Sequence, residues 1–417
     1  MIRSIARKEI LENIVGFRFT ILTALLGLLM LISIIVSYGD YSSRVEDYSL
    51  LRPGKDSENL IIEPNPVSTF VQGLDANMGR LFQLSAIGIE VHNNQQSINR
   101  LFSLFLVPDM LFVIRVLLAL SAILFTFDAI SGEKENGTLK LVLANGGTRI
   151  SLFMGKLLGR FALVFVPFLL FFLLGAFGVS VLQDVQAGAY YWEVVFAIIG
   201  ATLLYVFVFA SLGLWMSSVV PRSGTSLMIG LSAWALFVFV APNLGTIVAE
   251  TVAPVPPADK VELDNRLNMI QAFYERIQSE KGPATEGAGL KMIQQIWNGH
   301  REMLAMYEPK LHSQVQVARN FVRLSPSGSL LFLLTDVTNT GLYEEMRLKD
   351  AILQYVNRNF ERFLGGRKNA VEPFAYTRAP LDEIVVNSAA TDILDLLLFG
   401  LAFAGLAMAS FLRYDPR

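Results

Sequence analysis

The sequence predicts an α-helical polytopic membrane protein. Six transmembrane helices follow an N-terminal amphipathic interface helix, with two external domains: a small mixed α/β one after span 1 and a larger, mainly helical one after span 5. Three observations predict this. The chain is 53% hydrophobic with mean hydropathy +0.48. Only 17% of it is charged, well below the roughly 25% of soluble domains. Its apolar residues are gathered into long uncharged runs separated by two long polar blocks.

The composition also excludes function classes. A net charge of −2 offers no bulk basic field for nucleic acid. The absence of cysteine removes disulfides, zinc–thiolate sites and thiol catalysis. Three scattered histidines (His92, His300 and His312), with no HExxH, suggest no metal cage.

Residues 1–18 place Ile2, Ile5, Ile10, Ile14 and Phe17 on one stripe with Arg and Lys between them. That pattern suits an amphipathic helix in the cytoplasmic interface; the bland alternative is a solvated turn. The apolar run that follows is longer than a signal core and has no clean cleavage site, so it reads as a retained anchor. Residues 19–38 form the first span, at about 30 Å as a helix. Residues 39–107 form the first external domain, with a strand pair starting near Arg80. Residues 108–130 form span 2, 153–182 span 3, 191–220 span 4 and 223–249 span 5. The second external domain, 250–385, is expected to contain a helical hairpin. Met269, Ile270, Phe273, Ile277, Ile293, Ile296, Trp297, Met303 and Leu304 would form its core. Residues 330–334 are too short to span and should pack under that domain or on the membrane surface. Residues 386–412 form span 6, and 413–417 a cytoplasmic tail.

Flanking charge orients the spans. Arg3, Arg7, Lys8 and Arg18 precede the first span, five basic residues lie in 131–160, Arg222 links spans 4 and 5, and Arg413 and Arg417 end the chain. The link 183–192 has none. All the positive segments share one side if both termini are cytoplasmic and the two large domains face outward.

The segment 131–152 is then a polar island in the cytoplasm. Gly137 permits a sharp turn and Thr138 can cap the next helix; an ordinary loop is the plain alternative. The acidic run Gly132-Glu133…Glu135…Gly137-Thr138-Leu139, followed by Gly155-Lys156, resembles the signature region of ABC-2-type transporter permeases. One feature departs from that pattern. The usual proline before the arginine is replaced by Asn145-Gly146-Gly147-Thr148-Arg149. Asn65-Pro66-Val67-Ser68…Gln72-Gly73-Leu74 and Leu324-Ser325-Pro326-Ser327 resemble motifs of a subgroup with large external domains, related to permeases of nitrous-oxide-reductase maturation and gliding motility. The likeness covers most of the chain.

This resemblance implies the exporter-class membrane subunit of an ATP-driven transporter in a bacterial inner membrane. Two such subunits, identical or paralogous, would dock on two copies of a cytoplasmic ATPase that binds ATP and Mg. Glu133, Glu135, Gly137, Thr138 and Leu139 would lie at that contact. No GxxxxGK[ST] occurs, so hydrolysis and its cofactors would belong to the other chain. Mechanotransmission to a periplasmic partner is the alternative. An intramembrane enzyme is disfavoured, because no Ser–His or metal arrangement lies at membrane depth.

Three further readings concern charge. Lys156 and Arg160, four apart at the start of span 3, are expected to anchor to lipid headgroups, with ATPase contact second. Arg115, roughly 8 Å into span 2, either snorkels or faces protein and pairs with an acid. Asp392 and Asp395, on one face of span 6 at similar depth, complete that candidate network. Phe165, Phe168, Phe171, Phe172 and Phe177 read as packing or lipid-facing surface.

Overall fold

The computed structural model describes residues 1–51, 59–60, 62–75, 81–85, 88–92, 109–144, 148–182, 185, 188–256, 260, 263, 267, 270–271, 273–275, 286–364 and 374–414. Among these, six helices are long and apolar enough to cross a membrane: Phe17–Leu50, Met110–Glu135, Arg149–Ser180, Ala189–Val219, Ser223–Val252 and Leu381–Leu412.

Helix α1 covers Ile2–Ile14 and α2 Phe17–Leu51. The polar composition from Gly39 does not end α2. Asp40 and Arg44 pair at 3.1 Å one turn apart, and the segment stays helical. Strands β1 (Asn59–Leu60), β2 (Leu81–Ser85) and β3 (Gly88–His92) make one antiparallel sheet in that order, with Phe82 opposite Val91. This is the strand pair expected near Arg80. Residues 52–58, 61, 76–80, 86–87 and 93–108 of that block lie outside the described residues.

Helix α3 joins Met110–Phe112, a π-helical stretch Val113–Leu118 and Ala119–Thr126. Two short helices follow, α4 (Ser131–Glu135) and α5 (Thr138–Ala144), then the long α6 (Arg149–Ser180) and α7 (Ala189–Val219). Helix α8 joins Ser223–Ala235, a π stretch Leu236–Val240 and Ala241–Val252. Then come α9 (Glu286–Val322), α10 (Pro326–Val337) and α11 (Leu342–Leu364). Helix α12 closes the chain with Leu381–Ile384, a third π stretch Val385–Ala389 and Ala390–Leu412.

The core runs along α7, against which α3 and α12 pack. Small residues set these approaches: a Cβ on Gly213 of α7 would stand 2.0 Å from Thr126 Oγ1 of α3. Phe165, Phe168 and Phe172 are buried, with Phe168 stacked on Phe172 at 5.4 Å, whereas Phe177 is exposed. Most of the aromatic run is therefore packing surface.

The expected hairpin core is corrected in part. Ile270 and Phe273 are exposed, while Ile296 and Trp297 are buried. Trp297 clusters with Ile62 and with Leu348, Ile352 and Val356 of α11, so the amphipathic α11 covers it. Met269 and Ile277 lie outside the described residues, as do the side chains of Ile293 and Leu304. Helix α10 packs under this unit but also into the bundle, against α7, α12 and all three π stretches, with Leu330 and Leu334 fully buried.

The Asn65–Leu74 motif stitches the two polar blocks together. Asn65 Oδ1 accepts from Val67 N and caps the turn Pro66–Thr69, and its Nδ2 donates to the Thr338 carbonyl at 2.7 Å. Leu74 N donates to the Thr340 carbonyl at 2.7 Å. Gly73, at φ +47°, lies so close that a Cβ would stand 2.4 Å from that carbonyl oxygen. Gly73→Ala is expected to lose about 1–2 kcal/mol from backbone strain alone, with more from the clash. A thermal-unfolding comparison of the purified proteins checks this.

Candidate functional site

The site lies where α1, α4 and the first turns of α6 meet. Helix α6 carries Gly155-Lys156-Leu157-Leu158-Gly159-Arg160. The glycines lie four apart on one face, and α1 settles on them. A Cβ on Gly155 would stand 2.7 Å from the Ile5 side chain, and one on Gly159 would stand 2.9 Å from the Ala6 carbonyl and from Glu9 Cβ. This small-xxx-small stripe brings backbones close enough for short side chains to meet.

Glu9 is what that approach delivers. Its Oε1 accepts from Lys156 Nζ at 2.7 Å and its Oε2 from Arg160 Nε at 2.7 Å. Lys156 also donates to Glu133 Oε1 at 2.7 Å. Arg160 Nη1 donates to Asp128 Oδ1 and to the Phe125 carbonyl, both at 2.7 Å. Arg18 closes the cluster from outside, 3.1 Å from Asp128 Oδ2. Three acids thus meet three bases. Lys156 is only 1% exposed and Glu9 3%. Burial alone would raise the Glu9 carboxyl, but Lys156 and Arg160 outweigh it and hold it below its ordinary 4.5.

This overturns the lipid-anchor reading of Lys156 and Arg160. A cation at a span end can snorkel to headgroups or pair with a buried acid, and here Glu9 makes the second solution available. Glu9 was not singled out from the sequence. It lies four residues after Ile5 and three after Ala6, on the face that meets Gly155 and Gly159, whereas Ile2, Ile14 and Phe17 of the expected stripe are exposed.

Helices α4 and α5 form an elbow. Gly137, at φ +70°, reverses the chain between them, and a Cβ there would meet nothing within 4 Å, so the requirement is conformational. Ser217 Oγ of α7 accepts from the backbone N–H of both Ile130 and Ser131 at 2.9 Å. Lys134 donates to the Ser218 carbonyl and lies 4.8 Å over the Tyr414 ring. Glu135 Oε2 accepts from Ser223 Oγ at 2.6 Å and Ser223 N at 3.0 Å, at the first turn of α8. Thr138 opens α5, its hydroxyl 3.4 Å from the Glu133 carbonyl, and Leu139 is buried beneath it. Leu141 points outward at 67% exposure.

The remaining candidates separate. Arg115 faces protein, donating from Nε to Ser327 Oγ at 2.6 Å and from Nη2 to the Val238 carbonyl at 3.0 Å. It does not meet Asp392 or Asp395. Asp392 is held by Arg319 of α9 and by Arg323 just after it, and Asp395 makes no ion pair among the described residues. The sequence reading paired Arg115 by depth alone, and the acid was already claimed by closer bases from a polar helix.

Residues 3–415 match the family described as ABC-2 family transporter protein. The chain belongs to that family. It is also similar to a probable ABC transporter permease protein, NosY, of Stutzerimonas stutzeri, at 32% identity over 125 residues. That alignment covers 30% of this chain and 45% of the relative, so it spans less than half of that protein's length. The family and the six apolar helices make the chain an integral membrane protein of the ABC-2 transporter family. Its helical fold and NosY-like character agree with the sequence reading.

Glu9→Gln removes one acid from a buried cluster and leaves cations without their counter-charge, a loss of about 3–5 kcal/mol. α1 is expected to detach, measured as faster proteolysis of the first 14 residues. Because the folded Glu9 pKa lies below the unfolded one, its stabilisation is present above about pH 4.5 and is lost as pH falls through the depressed value. Detachment of wild-type α1 should begin only below that pH, followed by the same proteolysis.

Proposed function

We propose that the chain is the permease subunit of an exporter-class ABC transporter, driven by a separate cytoplasmic ATPase at the α4–α5 elbow. Both termini and the elbow would be cytoplasmic in a bacterial inner membrane, with the polar units around β1–β3 and α9–α11 external. Two copies, or one copy and a paralogue, would form the working unit, and ATP and Mg would be bound by the ATPases.

One observation carries this reading. Lys156 holds Glu9 and Glu133 at once, while Glu135 reaches α8 and Lys134 reaches α7. The elbow therefore has no slack against α1, α6, α7 and α8, and a push on its outer face reaches the bundle as displacement. That outer face carries Thr138, Lys140 and Leu141, all exposed. Glu133 and Glu135 act inward as struts under this contact.

Leu141→Asp puts a charge at the centre of the proposed contact. It is expected to lower stimulated ATP hydrolysis by about tenfold or more while membrane insertion is unchanged. Lys156→Met should leave the ATPase bound but abolish its stimulation, because the outer face survives and the strut does not. Wild-type stimulation in both variants would overturn the proposal.

A further inference from the structure

A second buried ion cluster lies among α9, α10 and α12. Arg319 and Arg323, one turn apart near the end of α9, both grip Asp392, which is fully buried in the first turn of Ala390–Leu412. Arg319 Nη2 reaches Asp392 Oδ2 at 2.9 Å, Asp336 Oδ2 at 2.5 Å and Ser388 Oγ at 2.9 Å. Arg323 Nε reaches Asp392 Oδ1 at 2.7 Å. Ser388 donates to Asp336 Oδ2 at 2.5 Å, and the Arg319 guanidinium lies 4.9 Å over Phe332. Two bases and two acids from three helices are keyed together, with Ser388 supplied by the π stretch of α12.

Three features distinguish this cluster from ordinary packing. The first is what it holds. From Arg319 back to Glu286, α9 extends about 50 Å at helical rise, and Trp297 ties its far part to α11. The second is where it holds it. The grip is on the last span, which packs along α7 at the centre of the bundle, so the cluster joins α9 to the core. The third is the surrounding backbone. Helix α10, which supplies Asp336, touches the π stretches of α3, α8 and α12. Their irregular ladders leave carbonyls for outside donors: Val238 accepts from Arg115, and Phe237 from Ser325 Oγ. Such π stretches inside α-helices are rare and lie frequently at functional sites.

We propose that Arg319, Arg323, Asp336 and Asp392 are positioning residues that make the α9–α11 unit move with the last span, so that motion started at the elbow emerges as a swing of α9. This rests on the ATPase-driven reading above. An arm of about 50 Å, with Pro309 inside its helix, turns a tilt of about 6° into a tip displacement of roughly 5 Å. The contact of Asn339 Nδ2 with Tyr190 of α7, at 2.7 Å, holds the unit to the bundle elsewhere and serves as its pivot.

The native chain has no cysteine, so Glu193→Cys on α7 and Glu302→Cys on α9, both exposed, can carry a spin-label pair. The test is a pulsed dipolar distance measurement on the full chain with its ATPase in nanodiscs, with and without ATP, run beside hydrolysis and thermal unfolding. Glu302 lies about 25 Å along the helix from Arg319, so wild type should shift by roughly 2–3 Å on ATP. Asp392→Asn should lose the shift while keeping hydrolysis within about twofold, because the elbow cluster is distant. Arg323→Gln leaves Arg319 on Asp392 and, as the milder variant if Asp392→Asn does not fold, should reduce the shift. Asp392→Glu should restore it. A full shift in both Asp392→Asn and Arg323→Gln would overturn the relay, as would stimulated hydrolysis with no wild-type shift. A chain that never stimulates hydrolysis would overturn the ATPase reading itself, and the relay with it.

Discussion

The contact on which the rest depends is the hold of Glu9 on Lys156 and Arg160. Two cations on one face of a span, nearly devoid of solvent, are tolerable only with an acid between them. The acid comes from a helix that approaches only because Gly155 and Gly159 have no side chains. Once those charges are neutralised, their remaining donors reach Glu133, Asp128 and the Phe125 carbonyl. The elbow is thereby fixed at the angle set by Gly137. Packing geometry comes first, electrostatics second, and the shape of the elbow follows.

The two ends of the molecule use the same device. At each, a pair of bases one turn apart grips an acid from another helix: Lys156 and Arg160 on Glu9, Arg319 and Arg323 on Asp392. Between them lies an apolar bundle whose interactions are mainly dispersion and small-residue contact, as at Gly213 and Thr126. Among the described residues, the buried ion pairs gather where non-spanning elements join the bundle. A membrane interior supplies little hydrophobic drive for helices to prefer one another, so ionic keys define how the polar elements are seated.

Much of this was legible in the sequence. Apolar run length identified the six spanning helices, and Gly137 between Glu135 and Thr138 marked the elbow. The strand pair near Arg80 followed from its mixed pattern. What could not be read was partnership. Lys156 and Arg160 look the same whether they meet phosphate or carboxylate, and the deciding residue, Glu9, lies far away in the sequence. Asp392 invited a partner at equal depth, yet its bases came from a helix read as part of a polar hairpin. The end of α2 was misplaced for a local reason: polar residues after Gly39 resemble a loop in composition, but the Asp40–Arg44 pair supports another turn of helix. The π stretches have no sequence signature of their own, because they depend on donors such as Arg115 and Ser325 reaching carbonyls on another helix.

The pairing of α1 with α6 also sets an order of assembly. Glu9 and Lys156 are separated by 147 positions. At ribosomal speeds of about 5–20 residues per second, α1 is complete roughly 7–30 s before its seat exists. During that interval its buried carboxylate has no partner, and two further spans must be threaded before Gly155 and Gly159 emerge. Helix α1 is therefore made well before it can settle. Its docking reports that the third span has entered the membrane in the correct orientation.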